Sequence, residues 1–271
     1  MSVLVLGTGA ADGWPNAHCD CTSCVGERAA GRIRAQTSAL IDAHVLVDAG
    51  PGTAEAAQRL GADLAGVDLM LFSHAHSDHF SPALLMYRSW VTDRPLTVLG
   101  PPDVIANARR WVSADAPITW LHGRPGNEYS TGDVHVRVLE SSHRTGLGVD
   151  GEPDAVLFDI AATQRVLWAS DTGALPASTV KACTGVGFDV VLMEETFGER
   201  LDLAGTGHLA YDSFEAQLTE LRGVGAITEA TDVVAVHLSH HHASWHEAQT
   251  RLAHLGARAV LDGAKLDHTA R

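Results

Sequence analysis

The chain has 271 residues, 45% of them hydrophobic and 19% charged, with a formal net charge of −14. That composition is ordinary for a globular protein able to bury a sizeable core in one large or two small domains, and no apolar run is long enough to span a bilayer. The acidic balance argues against a polyphosphate partner such as tRNA or DNA, which calls for a basic face.

The opening Met-Ser-Val-Leu-Val-Leu-Gly has no basic leader, so Ser2–Leu6 is read as a first strand and a cytoplasmic location is expected. The strand ends in Gly7-Thr-Gly9-Ala-Ala-Asp-Gly13. This loop lacks GxGxxG spacing and the Lys-Ser/Thr of a P-loop, which favours close backbone approach to a metal site over phosphate cradling. Trp14 beside it suits either pocket lining or core packing. Three of the four cysteines then fall in Cys19-Asp-Cys21-Thr-Ser-Cys24, a spacing that suits metal better than a disulfide framework. Arg28, Arg32 and Arg34 follow as a basic patch expected on a solvated face.

Strands are predicted over Thr37–Ile41 and His44–Val47, joined as a hairpin by Asp42-Ala43. The second runs into Asp48-Ala-Gly50-Pro51-Gly52, a turn into a helix from about Thr53. Asp48 either orients a ligand histidine or caps that helix. The apolar run Val67, Leu69, Met70, Leu71, Phe72 reads as a buried strand, and it delivers Ser73-His74-Ala-His76-Ser-Asp78-His79-Phe80. Three imidazoles and a carboxylate gathered at one strand end, with the chain expected to turn into a helix there, suit a zinc or manganese centre.

Pro82 opens a helix to about Val91. A strand over Leu96–Leu99, the turn Gly100-Pro-Pro-Asp103 and a helix to about Val112 come next. Val134–Leu139 alternates as a half-buried strand and ends near His143. Ala155–Ile160 and Arg165–Ala169 pair as a hairpin ending at Asp171, and Phe188–Met193 is a strand ending at Glu194-Glu195. Cys183 belongs to a helix and to core packing. Tyr211–Leu221 is an amphipathic helix, and Val233–Val236 is a strand ending at His237. Ser244-Trp-His-Glu247 is a capping box for a helix that stops at Gly256, and Ala257–Leu261 is the last strand. About a dozen strands and about six helices, in two runs of strands followed by helices, predict an α/β layered sandwich of two face-to-face sheets with helices outside, spanning 1–271 as one domain.

His74, His76, Asp78, His79, His143, Asp171 and His237 all follow apolar strands, so the strand ends of one edge can converge on them. They are too many ligands for one ion and sufficient for two that share a carboxylate. His-x-His-x-Asp-His with a later His, Asp and His resembles the metallo-β-lactamase superfamily. Asp-x-Gly-x-Gly at Asp48 and Gly-Pro-Pro-Asp at Gly100 extend the likeness over nearly the whole chain. Within it, Cys19-x-Cys21-x-x-Cys24 after Gly-Thr-Gly, and His237-Leu-Ser-His240, resemble the PhnP-type phosphodiesterases.

The resemblance implies the αββα four-layer sandwich and two divalent ions, zinc or manganese. One is held by His74, His76 and His143, the other by Asp78, His79 and His237, with Asp171 bridging. It also implies a closed structural zinc on Cys19, Cys21, Cys24 and His240, where His18, His241 and His242 remain alternatives for the fourth ligand. His208, in Gly-Thr-Gly-His208-Leu, matches a histidine beside the scissile bond, so Asp78 and His208 are the implied catalytic residues. The expected activity is hydrolysis of a small cyclic or nucleotide-like phosphodiester through a metal-bridging hydroxide. Lactone or thioester hydrolysis, tRNA 3′ processing and a non-catalytic metal-binding scaffold are the rivals. A small-molecule phosphoester is the expected partner, with neither nucleic acid nor membrane; the quaternary state is open, a homodimer included.

Overall fold

The structure is a computed structural model that describes residues 3–266 apart from Val149 and Ala204; Ser2, in the predicted first strand, lies outside them. Among the described residues, two sheets of seven strands face each other. The first has the order β14-β1-β2-β3-β4-β5-β6, the second β13-β12-β11-β10-β9-β8-β7. In the first sheet these are β1 (Val3–Gly7), β2 (Ser38–Ile41), β3 (Val45–Val47), β4 (Leu69–Leu71), β5 (Leu96–Gly100), β6 (Ile118–His122) and β14 (Lys265–Leu266). The second holds β7 (Glu128–Thr131), β8 (Val134–Glu140), β9 (Val156–Ala161), β10 (Arg165–Ala169), β11 (Val190–Glu194), β12 (Asp232–Val236) and β13 (Arg258–Ala259).

Period two decides which layer each side chain enters. Central strands are covered on both faces, so they read as continuous apolar runs, and alternate residues go to opposite sides. Val45, Val47, Leu69 and Leu71 of the first sheet meet Phe158, Trp168, Leu192 and Val236 of the second in a core between the sheets. Leu46 and Met70 point the other way, into a cluster under α2 (Thr53–Arg59), α3 (Pro82–Ser89) and α4 (Pro102–Ala108). Leu167, Val191 and Met193 do the same toward α5 (Ala177–Cys183), α6 (Tyr211–Gly223) and α7 (Trp245–His254). The result is the αββα sandwich.

The predicted elements are largely present, with boundaries shifted by one to a few residues. Three strands were not predicted: β6, β7 and β14. β6 and β7 lie at the sheet edges with no fully buried residue and so lack a buried apolar run, while β14 is a two-residue edge strand against β1. The helix α1 (Thr22–Ala29) was not predicted either; Cys21 Sγ caps it, accepting from Cys24 N at 3.4 Å. Phe80 N bonds His76 O at 2.9 Å, so the metal motif closes as a turn, and α3 begins only at Pro82.

The basic patch requires a correction. Arg34 is buried, not solvated: its Nη1 lies 2.9 Å from Glu27 Oε2, and its guanidinium stacks 4.0 Å over the Trp14 ring and 4.8 Å over Trp245. A carboxylate and two indoles compensate its desolvation, which charge patterning alone does not reveal. Trp14 is itself fully buried in the core against α6 and α7, and Cys183 packs in the same cluster.

The glycine-rich loop serves backbone approach, but to the segments just before β2 and just after β12. A Cβ on Gly7 would lie 2.0 Å from Gln36 O, where no side chain fits. Beyond it Leu238 N bonds Thr8 O and Ala10 N bonds Leu238 O, which secures the residue after His237. Among the described residues, no helix is long and apolar enough to cross a membrane.

Candidate metal centre

The C-terminal ends of β3, β4, β8, β10, β11 and β12 converge on one edge of the sandwich, bringing Asp48, His74, His143, Asp171, Glu194 and His237 together. Three of the residues that leave these strands do so at positive φ: Asp48 at 51°, Asp171 at 54° and His237 at 58°. Non-glycine residues in this region cost about 1–3 kcal/mol each, and such strain concentrates at functional sites.

Three groups of metal-capable His, Asp and Glu atoms result among the described residues, the smallest being Glu194, His208 and His237. Of the two larger groups, His74, His76, His143 and Asp171 form one; Asp78, His79, Asp171 and His237 form the other, with Asp171 common to both. All seven predicted ligands are therefore brought together. His74 Nε2 lies 3.0 Å from His76 Nδ1, and His143 Nε2 3.2 Å from the same atom. His79 Nε2 sits 3.0 Å from Asp78 Oδ2 and 3.2 Å from Asp171 Oδ1.

The positions of the protons show that these residues fit cations. A carboxylate only accepts, so Ser73 Oγ gives its proton to Asp48 Oδ2 at 2.8 Å and must accept from His74 Nδ1 at 3.0 Å. By the same reasoning Thr196 Oγ donates to Glu194 Oε2 at 2.6 Å and accepts from His237 Nδ1 at 2.9 Å. His79 Nδ1 donates to Asp48 Oδ2 at 2.8 Å, and His143 Nδ1 to Gly207 O at 3.0 Å. In its neutral form each ring thus aims a bare Nε2 lone pair at its neighbours or at carboxylate oxygens. His79 Nε2 is buried without any hydrogen-bond partner. Lone pairs facing lone pairs repel unless a cation lies between them, and nitrogen with carboxylate oxygen is a zinc- or manganese-type donor set.

The electrostatics agree. Burial depresses His74 well below the usual imidazole value and keeps that ring neutral. Burial opposes charge on His79 too, but Asp171, Asp78 and Asp48 raise it well above that value, so this buried centre draws positive charge. Burial opposes charge on Asp171 as well, yet His237, His79 and His74 hold it well below the usual carboxylate range. Such a site keeps its carboxylates ionised at neutral pH.

The structure settles the role of Asp48. α2 begins after Gly52 with no side-chain cap, so Asp48 is not a cap. It is fully buried and accepts from Ser73 N (2.7 Å), Ser73 Oγ (2.8 Å), His79 Nδ1 (2.8 Å) and, from the opposite sheet, Trp168 Nε1 (3.0 Å). It fixes the tautomer of His79, one of the predicted ligands.

His208 lies at the rim. Its ring stacks on His237 with centroids 5.2 Å apart, its Nδ1 lies 2.8 Å from Glu194 Oε2, and its Nε2 is 4.0 Å from Asp171 Oδ2. Burial opposes protonation of His208, but the Glu194 charge and hydrogen bond raise its pKa to about 9. Glu194 also accepts from Thr172 N and Gly173 N, both at 2.8 Å, and from Thr196 Oγ. With its lone pairs so engaged it orients His208 rather than serving as a ligand. Glu194 and Thr196 were missed; Glu194 obeys the same strand-end rule as the ligands and was legible by it. Trp168 was not, because only sheet-on-sheet packing brings its indole to Asp48.

The sulfurs of Cys19, Cys21 and Cys24 form a further group, and all four cysteines are free thiols. Asn16 N points at Cys24 Sγ (3.3 Å) and Cys21 N at Cys19 Sγ (3.5 Å). Burial raises the Cys24 thiol to about 12, while backbone and thiol hydrogen bonds outweigh burial and lower Cys21. Among the described residues, the structure brings no histidine into this group. His242 has both nitrogens engaged, by Ser239 O and Glu195, and His241 packs on Phe197. His18 is exposed. His240 Nδ1 is buried without a hydrogen bond, 3.9 Å from Asp12 Oδ2, which in turn accepts from Asn16 Nδ2 of the cysteine loop at 2.7 Å.

A family model described as beta-lactamase superfamily domain matches residues 43–261. Ribonuclease Z of Methanopyrus kandleri is 33% identical over 101 residues, covering 36% of this chain and 36% of that relative, so the match spans about a third of its length. The crystal structure of a new diphosphatase from the PhnP family superposes with a TM-score of 0.74 at 17% identity, covering 98% of this chain and 96% of that one. Zn²⁺-bound PqqB from Methylobacterium extorquens does so with a TM-score of 0.71 at 17% identity, covering 98% and 100%. At such identities the likeness is one of fold.

Proposed function

We propose that this chain, which belongs to the beta-lactamase superfamily, is a metal-dependent hydrolase whose substrate is a small phosphodiester. The observation that carries this reading is Asp171, shared by two adjacent His/Asp groups. Divalent cations, when bound there, activate water and take up the negative charge that develops at phosphorus. His74, His76 and His143 would hold one, and Asp78, His79 and His237 the other, with Asp171 between them. We assign Cys19, Cys21 and Cys24, completed by His240, to a separate structural zinc. A saturated thiolate–imidazole shell leaves no position for substrate.

The chain's own residues supply the remaining steps. Glu194 fixes the Nδ1–H of His208 and so turns its Nε2 toward the centre. His208 is then placed to protonate the departing alkoxide. Asp48, Ser73, Thr196 and Gly207 O keep the ligand imidazoles oriented through turnover. The burial of Asp171 and His79 excludes bulk water from that side of the centre.

The ribonuclease Z likeness favours a second reading, tRNA 3′ processing. The net charge of −14 supports a small substrate over a polyanion. The test is hydrolysis of bis-p-nitrophenyl phosphate by metal-loaded protein and its loss in His76→Ala. Cleavage of a lactone or thioester at a greater kcat/KM than the diester would replace phosphorus by carbon. Cleavage of precursor tRNA at a greater kcat/KM would install the second reading.

A further inference from the structure

Phe197 is a half-buried phenyl ring on the segment that follows β11, and it belongs to none of the apolar clusters among the described residues. Its ring neighbours are imidazoles: His208 with centroids 5.6 Å away at 86°, and His241 at 5.6 Å and 63°. Both are half-buried too, so the three rings belong to the rim of the metal centre and not to the core. An apolar ring left partly in water beside a polar centre forgoes hydrophobic stabilisation that a ligand covering it would recover.

The segment is rigidly held. Thr196 N and Phe197 N both donate to Leu209 O, at 3.1 and 3.0 Å, which ties Phe197 to the residue after His208. Gly198 N donates to Glu195 Oε1 at 3.0 Å, and the other oxygen of Glu195 is bonded to the fully buried His242. Gly198 lies at φ +55°, and a Cβ there would stand 3.1 Å from His241 O and 3.3 Å from His242 Cα. Only glycine lets this segment press against the triple-histidine segment, and that packing brings Phe197 and His241 side by side.

If His208 protonates the leaving oxygen, the group attached to that oxygen lies over the neighbours of His208. We propose that Phe197, with His241 beside it, is a preorganised stacking surface for the base of a nucleoside-bearing phosphodiester, an inference that rests on the phosphodiesterase reading above. Stacking on an aromatic face accepts any base, and preorganisation removes the ordering cost that a mobile ring would carry. The metal centre recognises the phosphate, and the ring surface selects what the phosphate carries.

The test compares 2′,3′-cyclic AMP with glycerol 1,2-cyclic phosphate, a five-membered cyclic diester with no base, on the metal-loaded full chain. The ratio of their kcat/KM values is expected to fall about tenfold in Phe197→Leu, mainly through KM for the nucleotide, and to recover in Phe197→Trp. Losses common to both diesters cancel in this ratio. An unchanged ratio in a folded Phe197→Leu overturns the stacking surface and leaves the phosphodiesterase reading standing. Should that variant not fold, His241→Leu, on the other ring of the surface, must lower the same ratio, and an unchanged ratio there overturns the proposal equally. If neither diester is hydrolysed, the phosphodiesterase reading fails by itself. Calorimetric binding of adenosine 5′-monophosphate then decides the surface: about tenfold weaker binding to Phe197→Leu supports it, and equal affinity overturns it.

Discussion

Asp48→Asn replaces a buried carboxylate by an isosteric amide at φ +51°, a conformation asparagine also adopts, so backbone strain does not confound the result. Oδ1 accepts from Ser73 N at 2.7 Å, and Oδ2 from Ser73 Oγ, His79 Nδ1 and Trp168 Nε1 at 2.8, 2.8 and 3.0 Å. An amide offers one acceptor oxygen. Set in the Oδ2 position, that oxygen keeps three of these bonds and turns the NH₂ against the Ser73 N–H; set the other way, it turns the NH₂ against the indole N–H. Either orientation leaves a buried donor facing a donor, which costs about 1–3 kcal/mol, and the bond that fixes His79 also loses its charge. The expected result is a loss of about 2–4 kcal/mol in metal-free stability and about 10- to 100-fold in metal affinity. Urea unfolding after metal removal measures the first, and competition with a chromophoric chelator the second. An unchanged unfolding midpoint with metal affinity within about twofold of the parent, against the usual cost of losing such a partner, would refute the role given to Asp48.

His208→Ala is expected to lower kcat about 10²- to 10⁴-fold for a diester with an alkoxide leaving group. The loss should be far smaller for p-nitrophenolate, which needs little protonation; equal losses on both substrates would remove His208 from acid catalysis. Cys21→Ser should lower the thermal unfolding temperature and remove about one metal per chain by elemental analysis, leaving a residual active centre. Unchanged metal content would dismiss the cysteine zinc. Burial pushes Glu27 up, but hydrogen bonds and charges from Arg32 and Arg34 outweigh it and hold the carboxyl below its ordinary 4.5. A depressed carboxylate stabilises fully above its unfolded pKa and less as pH falls through its folded one. The stability advantage of the parent over Glu27→Gln should therefore be complete above about pH 4.5 and shrink below it, and a gap that stays constant down to pH 3 would contradict the pairing.

Strand positions were legible because interior strands are covered on both faces and read as apolar runs, as at Val45–Val47, Leu69–Leu71 and Val190–Glu194. β6 and β7 sit at sheet edges, half in water, and leave little such trace. The candidate ligands were legible for a chemical reason. Few roles require histidine and aspartate together, and a strand end is a local feature that the sequence itself marks.

What the sequence by itself determined is therefore the donor set, His74, His76, Asp78, His79, His143, Asp171 and His237, and the apolar runs that carry it. Tertiary structure alone decided what surrounds that set. Asp48 could have been a cap and Arg34 a solvated cation; packing made one the acceptor for His79 and Trp168 and set the other between Trp14 and Glu27. A ligand is recognised by residue type, whereas an orienting carboxylate is an ordinary acid whose role comes from the groups that donate to it. Those groups lie on other strands and the opposite sheet, and spacing along the chain carries no record of them.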